Sequence, residues 1–149
     1  MEPLKKILIL IDETPLSEAV VKFGYAIAGQ LRAEIALLHV ENSREYRMDM
    51  YMLTDATESM KIFKNSRQFL ENLCYRFSGG IETKIFILEG RVKDSILSTV
   101  KEWNAQLIIA GSHEHTGFMS LFNQNLSEDI LHSSSIPVLI VPEIKGKRQ

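Results

Sequence analysis

At 149 residues the chain has room for one domain and little more, with residues 1–143 expected to be an ordered core and 144–149 a tail. Hydrophobic residues at 45% and charged residues at 24% suit a soluble globular protein that builds its core without disulfides or a structural metal. A net charge of -2 excludes the broad basic field that nucleic-acid binding requires. Cys74 is the only cysteine, so no intrachain disulfide can form, and its helical neighbours Leu70, Leu73 and Phe77 make it a buried structural thiol. The apolar run near the N-terminus meets Asp12 and Glu13 at once, too soon for a signal peptide or a membrane span, so a reducing cytoplasm is the expected location. Lys145, Lys147 and Arg148 belong to the solvated tail.

In chain order, Ile7–Ile11 is a continuous apolar run, the pattern of a strand buried on both faces. Asp12, Thr14 and Pro15 follow as turn and cap residues. Leu16, Val20, Phe23, Ile27 and Leu31 recur at three and four residues and predict a helix with one buried stripe. Ile35–Val40 reads as a second strand, and residues 41–55, which mix charges and methionines without period, as a long mobile loop. Met60, Phe63, Leu70, Leu73, Cys74 and Phe77 mark a second helix, stopped by Gly79 and Gly80.

Ile81–Leu88 is a third strand, and Val92, Ile96, Leu97 and Val100 mark a third helix. Leu107–Ala110 is a fourth strand that runs straight into Gly111; Leu126, Ile130 and Leu131 mark a last helix, and Ile136–Val141 a fifth strand. Such alternation means an α/β fold, a doubly wound parallel sheet with helices on both faces.

Four segments carry a family resemblance. They are Lys6–Asp12 with Ser17, Leu37–Glu41, Gly90 with Ile96 and Trp103–His113, and Ser133–Pro142. In this order and spacing the chain resembles the universal stress protein family. That resemblance implies five parallel strands in the order 3-2-1-4-5, so that Asp12 and Gly111, at the ends of strands one and four, meet at the point where strand order reverses. Ligands of open α/β sheets sit at such a point. It also implies a stress-response protein that senses or binds, and a symmetric homodimer paired through the last strand, with Pro137, Val138, Leu139, Ile140 and Val141 at the interface. An unidentified protein partner follows from the same likeness.

Family members that bind ATP carry a loop of the form G-x-x-G, nine residues, then G-[S/T], whose glycines let backbone amides approach phosphate. The resemblance makes Asp12, Thr14, Val40, Gly111, His113, Gly117 and Asn125 the candidate nucleotide residues. Gly111 holds the first glycine position. Glu114 takes the second, Gln124 the third, Asn125 stands at the hydroxyl position, and Gly117 is out of register. A carboxylate beside a phosphate costs about 1–4 kcal/mol at a few ångströms. Weak or absent ATP binding is therefore expected, with no cofactor required. The alternative is an ATP- or AMP-binding member with slow hydrolysis.

His113, Glu114 and His115 alternate as zinc or copper ligands can, but lack a third and fourth partner, so a polar loop is expected there and no metal. His39 inside strand two reads as a hydrogen-bonded core histidine. The chain has no G-x-S-x-G elbow, no Walker loop and no His-x-Gly-His motif, so no catalytic residue is assigned. Met48, Met50 and Met52 with Tyr46 and Tyr51 read equally as a partner surface or as a loop folded over the crevice.

Overall fold

A strand buried on both sides must be apolar at every position, and Ile7 to Ile11 meet that demand, none of them more than 8% exposed. The computed structural model, which describes residues 2–42, 56–112 and 126–142, places this run at the centre of a parallel sheet. The elements are β1 Lys6–Leu10, α1 Leu16–Leu31, β2 Glu34–Asn42, α2 Ala56–Phe77, β3 Thr83–Gly90, α3 Val92–Trp103, β4 Leu107–Gly111, α4 Leu126–Ser133 and β5 Val138–Val141. The sheet order is β3-β2-β1-β4-β5, as expected, and every pairing is parallel.

Side chains of β1 alternate between two cores. Ile7, Ile9 and Ile11 join Val20, Val21, Tyr25 and Ala28 of α1 and Leu70 and Leu73 of α2. Leu8 and Leu10 join Val92, Ile96 and Val100 of α3 and Ile130 of α4. The helices thus divide two and two over the faces of the sheet.

The helical stripe of α1 differs from the sequence reading. Its buried residues are Ser17, Val20, Val21, Gly24, Tyr25 and Ala28, whereas Phe23 and Leu31 are 41% and 44% exposed. This helix is apolar nearly all round, so the largest side chains do not mark the buried face; small Gly24 and Ala28 do, because they let the helix lie close to the sheet. Leu131 of α4 is likewise exposed, and Cys74 is half-buried at the rim of the α1–α2 core.

Strand boundaries also shift. β2 continues through Glu41 to Asn42 because β3 pairs with it as far as Gly90, so these two residues, expected in a loop, belong to the strand. β3 begins at Thr83: Ile81 belongs to a turn in which its N–H donates to the Ser78 carbonyl at 3.0 Å. Gly79 and Gly80 end α2 at φ 57° and 89°. β5 begins at Val138, leaving Ile136 and Pro137 ahead of it. The remaining part of the 41–55 loop, with Tyr46, Met48, Met50, Tyr51 and Met52, and the 144–149 tail lie outside the described residues.

Gly111 has a packing role. A Cβ built on it would lie 2.7 Å from Leu16 Cδ2 and 3.1 Å from Val20 Cγ2. The end of β4 therefore rests directly against the first turns of α1. Gly111→Ala should cost about 1–3 kcal/mol through overpacking. Urea unfolding should show a lower midpoint at unchanged m-value; an unchanged midpoint would contradict this close approach.

Candidate functional site

The carboxyl ends of β1 and β4 adjoin. Ile7, Leu8 and Ile9 align with Leu107, Ile108 and Ile109, so continuing the register by two residues sets Ile11 level with Gly111. Asp12 is the first residue past that level and is 8% exposed. Its Oδ1 accepts three hydrogen bonds, from the Thr14 N–H at 3.1 Å, the Thr14 hydroxyl at 2.7 Å and the Ser17 hydroxyl at 3.0 Å. The aspartate thus closes its own turn and stands at the N-terminus of α1, where the helix dipole favours a negative charge. Val40 of β2 is 2% exposed and packs in the α3–α4 core, which leaves its backbone for any contact with a ligand.

Of the nucleotide residues expected from sequence, Asp12, Thr14, Val40 and Gly111 are described. Asp12 and Gly111 come to neighbouring strand ends, while Val40 lies one strand further along. His113, Glu114, His115, Gly117, Gln124 and Asn125 lie outside the described residues. An open depression of about 850 Å³ lined by Lys5, Lys6, Lys101, Gln106 and Ile136 lies at the opposite, amino end of the strands. It is therefore distinct from the crevice where sheets of this type hold ligands.

A second polar cluster sits beside the crevice, and sequence reasoning missed it. His39 is 1% exposed, and its Nδ1 lies 2.9 Å from the Ile11 carbonyl oxygen. Its Nε2 lies 3.1 Å from Glu41 Oε2 and 3.2 Å from Glu13 Oε2. The hydroxyl of Ser66, from α2, stands 2.7 Å from each of the same two carboxylate oxygens. The histidine is buried and hydrogen-bonded as expected; its carboxylate partners were not foreseen. One signal was available. Residues two apart on a strand share a face, so His39 implies Glu41 once β2 is extended past residue 40. Nothing in the sequence pattern signals Ser66, which lies 25 residues further on.

Burial opposes charge on His39, but the Glu41 hydrogen bond, the Ile11 carbonyl and the charges of Glu13 and Glu41 outweigh it, and its pKa is raised above 6.5. Burial also opposes charge on Glu41, and the His39 and Ser66 hydrogen bonds with the His39 charge outweigh it, so its pKa is lowered from 4.5. The signs of the two linkages differ. The histidine contributes stability that is full below pH 6.5 and fades as pH rises through its raised folded value. The glutamate contributes stability that is full above pH 4.5 and fades as pH falls through its lowered folded value.

The comparisons with known proteins agree with this architecture. The sequence profile of the universal stress protein family matches residues 3–142. The chain belongs to the universal stress protein family. Relatives include universal stress protein C of Escherichia coli O157:H7, 26% identical over 138 residues that cover 91% of this chain and 94% of that one. Universal stress protein A homolog 1 of Coxiella burnetii is 28% identical over 139 residues, 92% of this chain and 95% of that one. Universal stress protein MJ0577 of Methanocaldococcus jannaschii is 26% identical over 152 residues, 92% of this chain and 94% of that one. Among solved structures, MJ0577 superposes with a TM-score of 0.77 at 24% identity over 96% of this chain and 99% of that chain. A universal stress protein in complex with cAMP superposes with a TM-score of 0.64 at 13% identity over 95% and 98%. No described helix is long and apolar enough to cross a membrane.

The geometry around Ser66 yields a direct expectation. Ser66→Ala removes the hydroxyl that both carboxylates share and leaves them facing each other with His39 alone. Stability at neutral pH should fall by about 1–3 kcal/mol, the scale of a lost hydrogen bond to a charged group, read by urea unfolding. The wild-type stability profile against pH should show both limbs. A profile without the alkaline limb means that His39 does not carry the charge assigned to it.

Proposed function

We propose that this universal stress protein is a non-catalytic binding protein of the stress response, acting through a protein partner, that holds ATP weakly or not at all. The observation that carries the reading is the Asp12 carboxylate at the end of β1, taken with the departures of the sequence from the family's phosphate loop. Asp12 already places a carboxylate at the N-terminus of α1, where an anion would otherwise be stabilised, and Glu114 and Gln124 replace two of the glycines of the family's phosphate loop. A carboxylate that accepts hydrogen bonds suits the hydroxyl and amino groups of a nucleoside better than a polyphosphate. The complex of another family member with cAMP supports an adenine nucleotide as the ligand class.

The retained pair Asp12 and Gly111 favours a second reading, an ATP- or AMP-binding member with slow hydrolysis. Incubation with ATP and magnesium separates the two readings, since only the second yields ADP or AMP. Gly111 supports that reading less than the sequence suggests, because the close approach of Leu16 and Val20 already favours a small residue there. A cytoplasmic setting fits both readings.

Loss of two charge-assisted hydrogen bonds to phosphate, at about 1.5–3 kcal/mol each, converts a micromolar site into a millimolar one. Calorimetry should therefore find ATP weaker than about 10 μM, about −7 kcal/mol, and adenosine less affected than ATP by the two loop replacements. Glu114→Gly with Gln124→Gly should restore part of the ATP affinity. Tight ATP binding by the unaltered chain, or ATP copurified at one per chain, sinks the proposal.

The assembly we propose is a symmetric homodimer through β5. Topology supports it: β5 is an edge strand, Val138–Val141 are only half-buried in one chain, and exposed Pro137 and Pro142 bracket them. A bare apolar edge invites pairing with an identical edge. Val138→Asp should halve the mass seen by light scattering at micromolar concentration. A wild-type monomer, or an unaltered mass in the variant, counts against β5 as the interface.

A further inference from the structure

We propose that Glu13, His39 and Glu41 form a binding site for one divalent transition-metal ion, with zinc as the best match. The ligand atoms of these three residues lie within 4.8 Å of one another. Nε2 of His39 is 3.1 Å from Glu41 Oε2 and 3.2 Å from Glu13 Oε2. In a tetrahedral zinc site with bonds of about 2.0–2.1 Å, neighbouring ligand atoms are about 3.3 Å apart. Both nitrogen–oxygen distances therefore stand close to the spacing that zinc requires, and the two carboxylate oxygens lie within 4.8 Å of each other.

An observation outside the cluster fixes which atom of His39 is offered. The Ile11 carbonyl can only accept a hydrogen bond, so Nδ1, 2.9 Å away, carries a hydrogen. In its neutral form His39 then directs the lone pair of Nε2 at two carboxylate oxygens. Three electron-rich atoms converge in a place where His39 is 1% and Glu41 8% exposed, and a proton or a cation among them lowers their energy. A ring N–H given to a backbone carbonyl is also the usual orienting contact of a metal-bound histidine.

Charge decides between a proton and a metal. With one proton on Nε2 the cluster carries two carboxylates against one imidazolium and keeps a net charge of about −1. Among the described residues, no lysine or arginine lies within ion-pair distance of Glu13 or Glu41. A divalent ion bound to neutral His39 and both carboxylates brings the cluster to neutrality. An N,O,O donor set without thiolate suits zinc and its first-row neighbours better than calcium or magnesium, which take oxygen ligands alone. Ser66 acts as a positioning residue, its hydroxyl 2.7 Å from both carboxylate oxygens. The Glu13 side chain, 36% exposed, gives the ion a route from solvent.

The test uses the full chain, free of any histidine tag and treated with chelator, titrated with Co2+ alone. The expected result is one equivalent of bound Co2+ with the visible bands of four-coordinate cobalt, displaced by one equivalent of Zn2+. His39→Gln and Glu41→Gln should each weaken binding by at least about tenfold, the scale on which metal sites respond even to loss of outer contacts. The double variant His113→Gln with His115→Gln should bind as wild type does. If His39→Gln or Glu41→Gln fails to fold, Glu13→Gln carries the same comparison, because its side chain is partly exposed. Zinc should also raise the unfolding midpoint of the wild type and not that of Glu13→Gln. Absence of cobalt bands overturns the proposal and leaves a buried ion pair. So does binding that survives Glu13→Gln but is lost in the His113/His115 double variant.

Discussion

β1 is the constraint on which the rest of the structure depends. It is hydrogen-bonded to strands on both sides and covered by helices on both faces, so every residue from Ile7 to Ile11 is buried. At about 25 cal/mol for each Å² of apolar surface removed from water, a fully buried isoleucine or leucine contributes about 1.5–3 kcal/mol. Neighbouring side chains on this one strand anchor α1 and α2 on one face and α3 and α4 on the other. A polar residue within the run would have no water and no free backbone partner. The polar chemistry of the sheet's centre is thereby pushed to its carboxyl end, where Asp12 and Glu13 appear at once.

Ending a buried strand creates a problem that this chain solves with side chains. Ile11 lies past the last assigned residue of β1, yet its N–H still donates to the Leu38 carbonyl at 2.8 Å and its own carbonyl accepts from His39. The strand's last backbone groups are thus satisfied by the neighbouring strand and by an imidazole, as buried backbone groups require. Once the imidazole is committed on one nitrogen, its other nitrogen needs a partner, and Glu13 and Glu41 provide it. Ser66 ties that arrangement to α2. Each group is present because the one before it would otherwise be left buried and unsatisfied.

Much of the fold was legible because periodicity reports burial. Ile7–Ile11 and Leu107–Ala110 could only be inner strands, and their adjacency followed from family likeness. Where the reading failed, local pattern was not what decided the structure. Phe23 and Leu31 have the right spacing for a core stripe, but α1 is apolar on most of its surface and its small residues choose the contact face. Glu41 looked like the start of a loop because it is charged; pairing with β3 and the His39 hydrogen bond keep it in the strand. Gly111 looked like a phosphate-loop glycine, and the structure gives it an additional reason to be glycine in the Leu16 and Val20 contacts. The Glu13–His39–Glu41 cluster joins the β1–α1 turn to β2, and Ser66 adds α2, so it exists only once the sheet is assembled.

The two polar sites meet in one dipeptide. Asp12 and Glu13 are consecutive, yet Asp12 is held by Thr14 and Ser17 at the start of α1, while Glu13 is held by His39 of β2 and Ser66 of α2. Glu13 has φ 63°, a left-handed backbone uncommon for a residue with a side chain. Such a conformation persists only where surrounding contacts determine it, and here the carboxylate contacts to His39 and Ser66 do so. The backbone between the two carboxylates is short and fixed at both ends. The charge facing Glu13 and the carboxylate of Asp12 therefore bear on one and the same turn. That turn belongs to both clusters, so an ion held at Glu13 and a ligand held at Asp12 would be linked through it, and any such coupling would be equal in both directions.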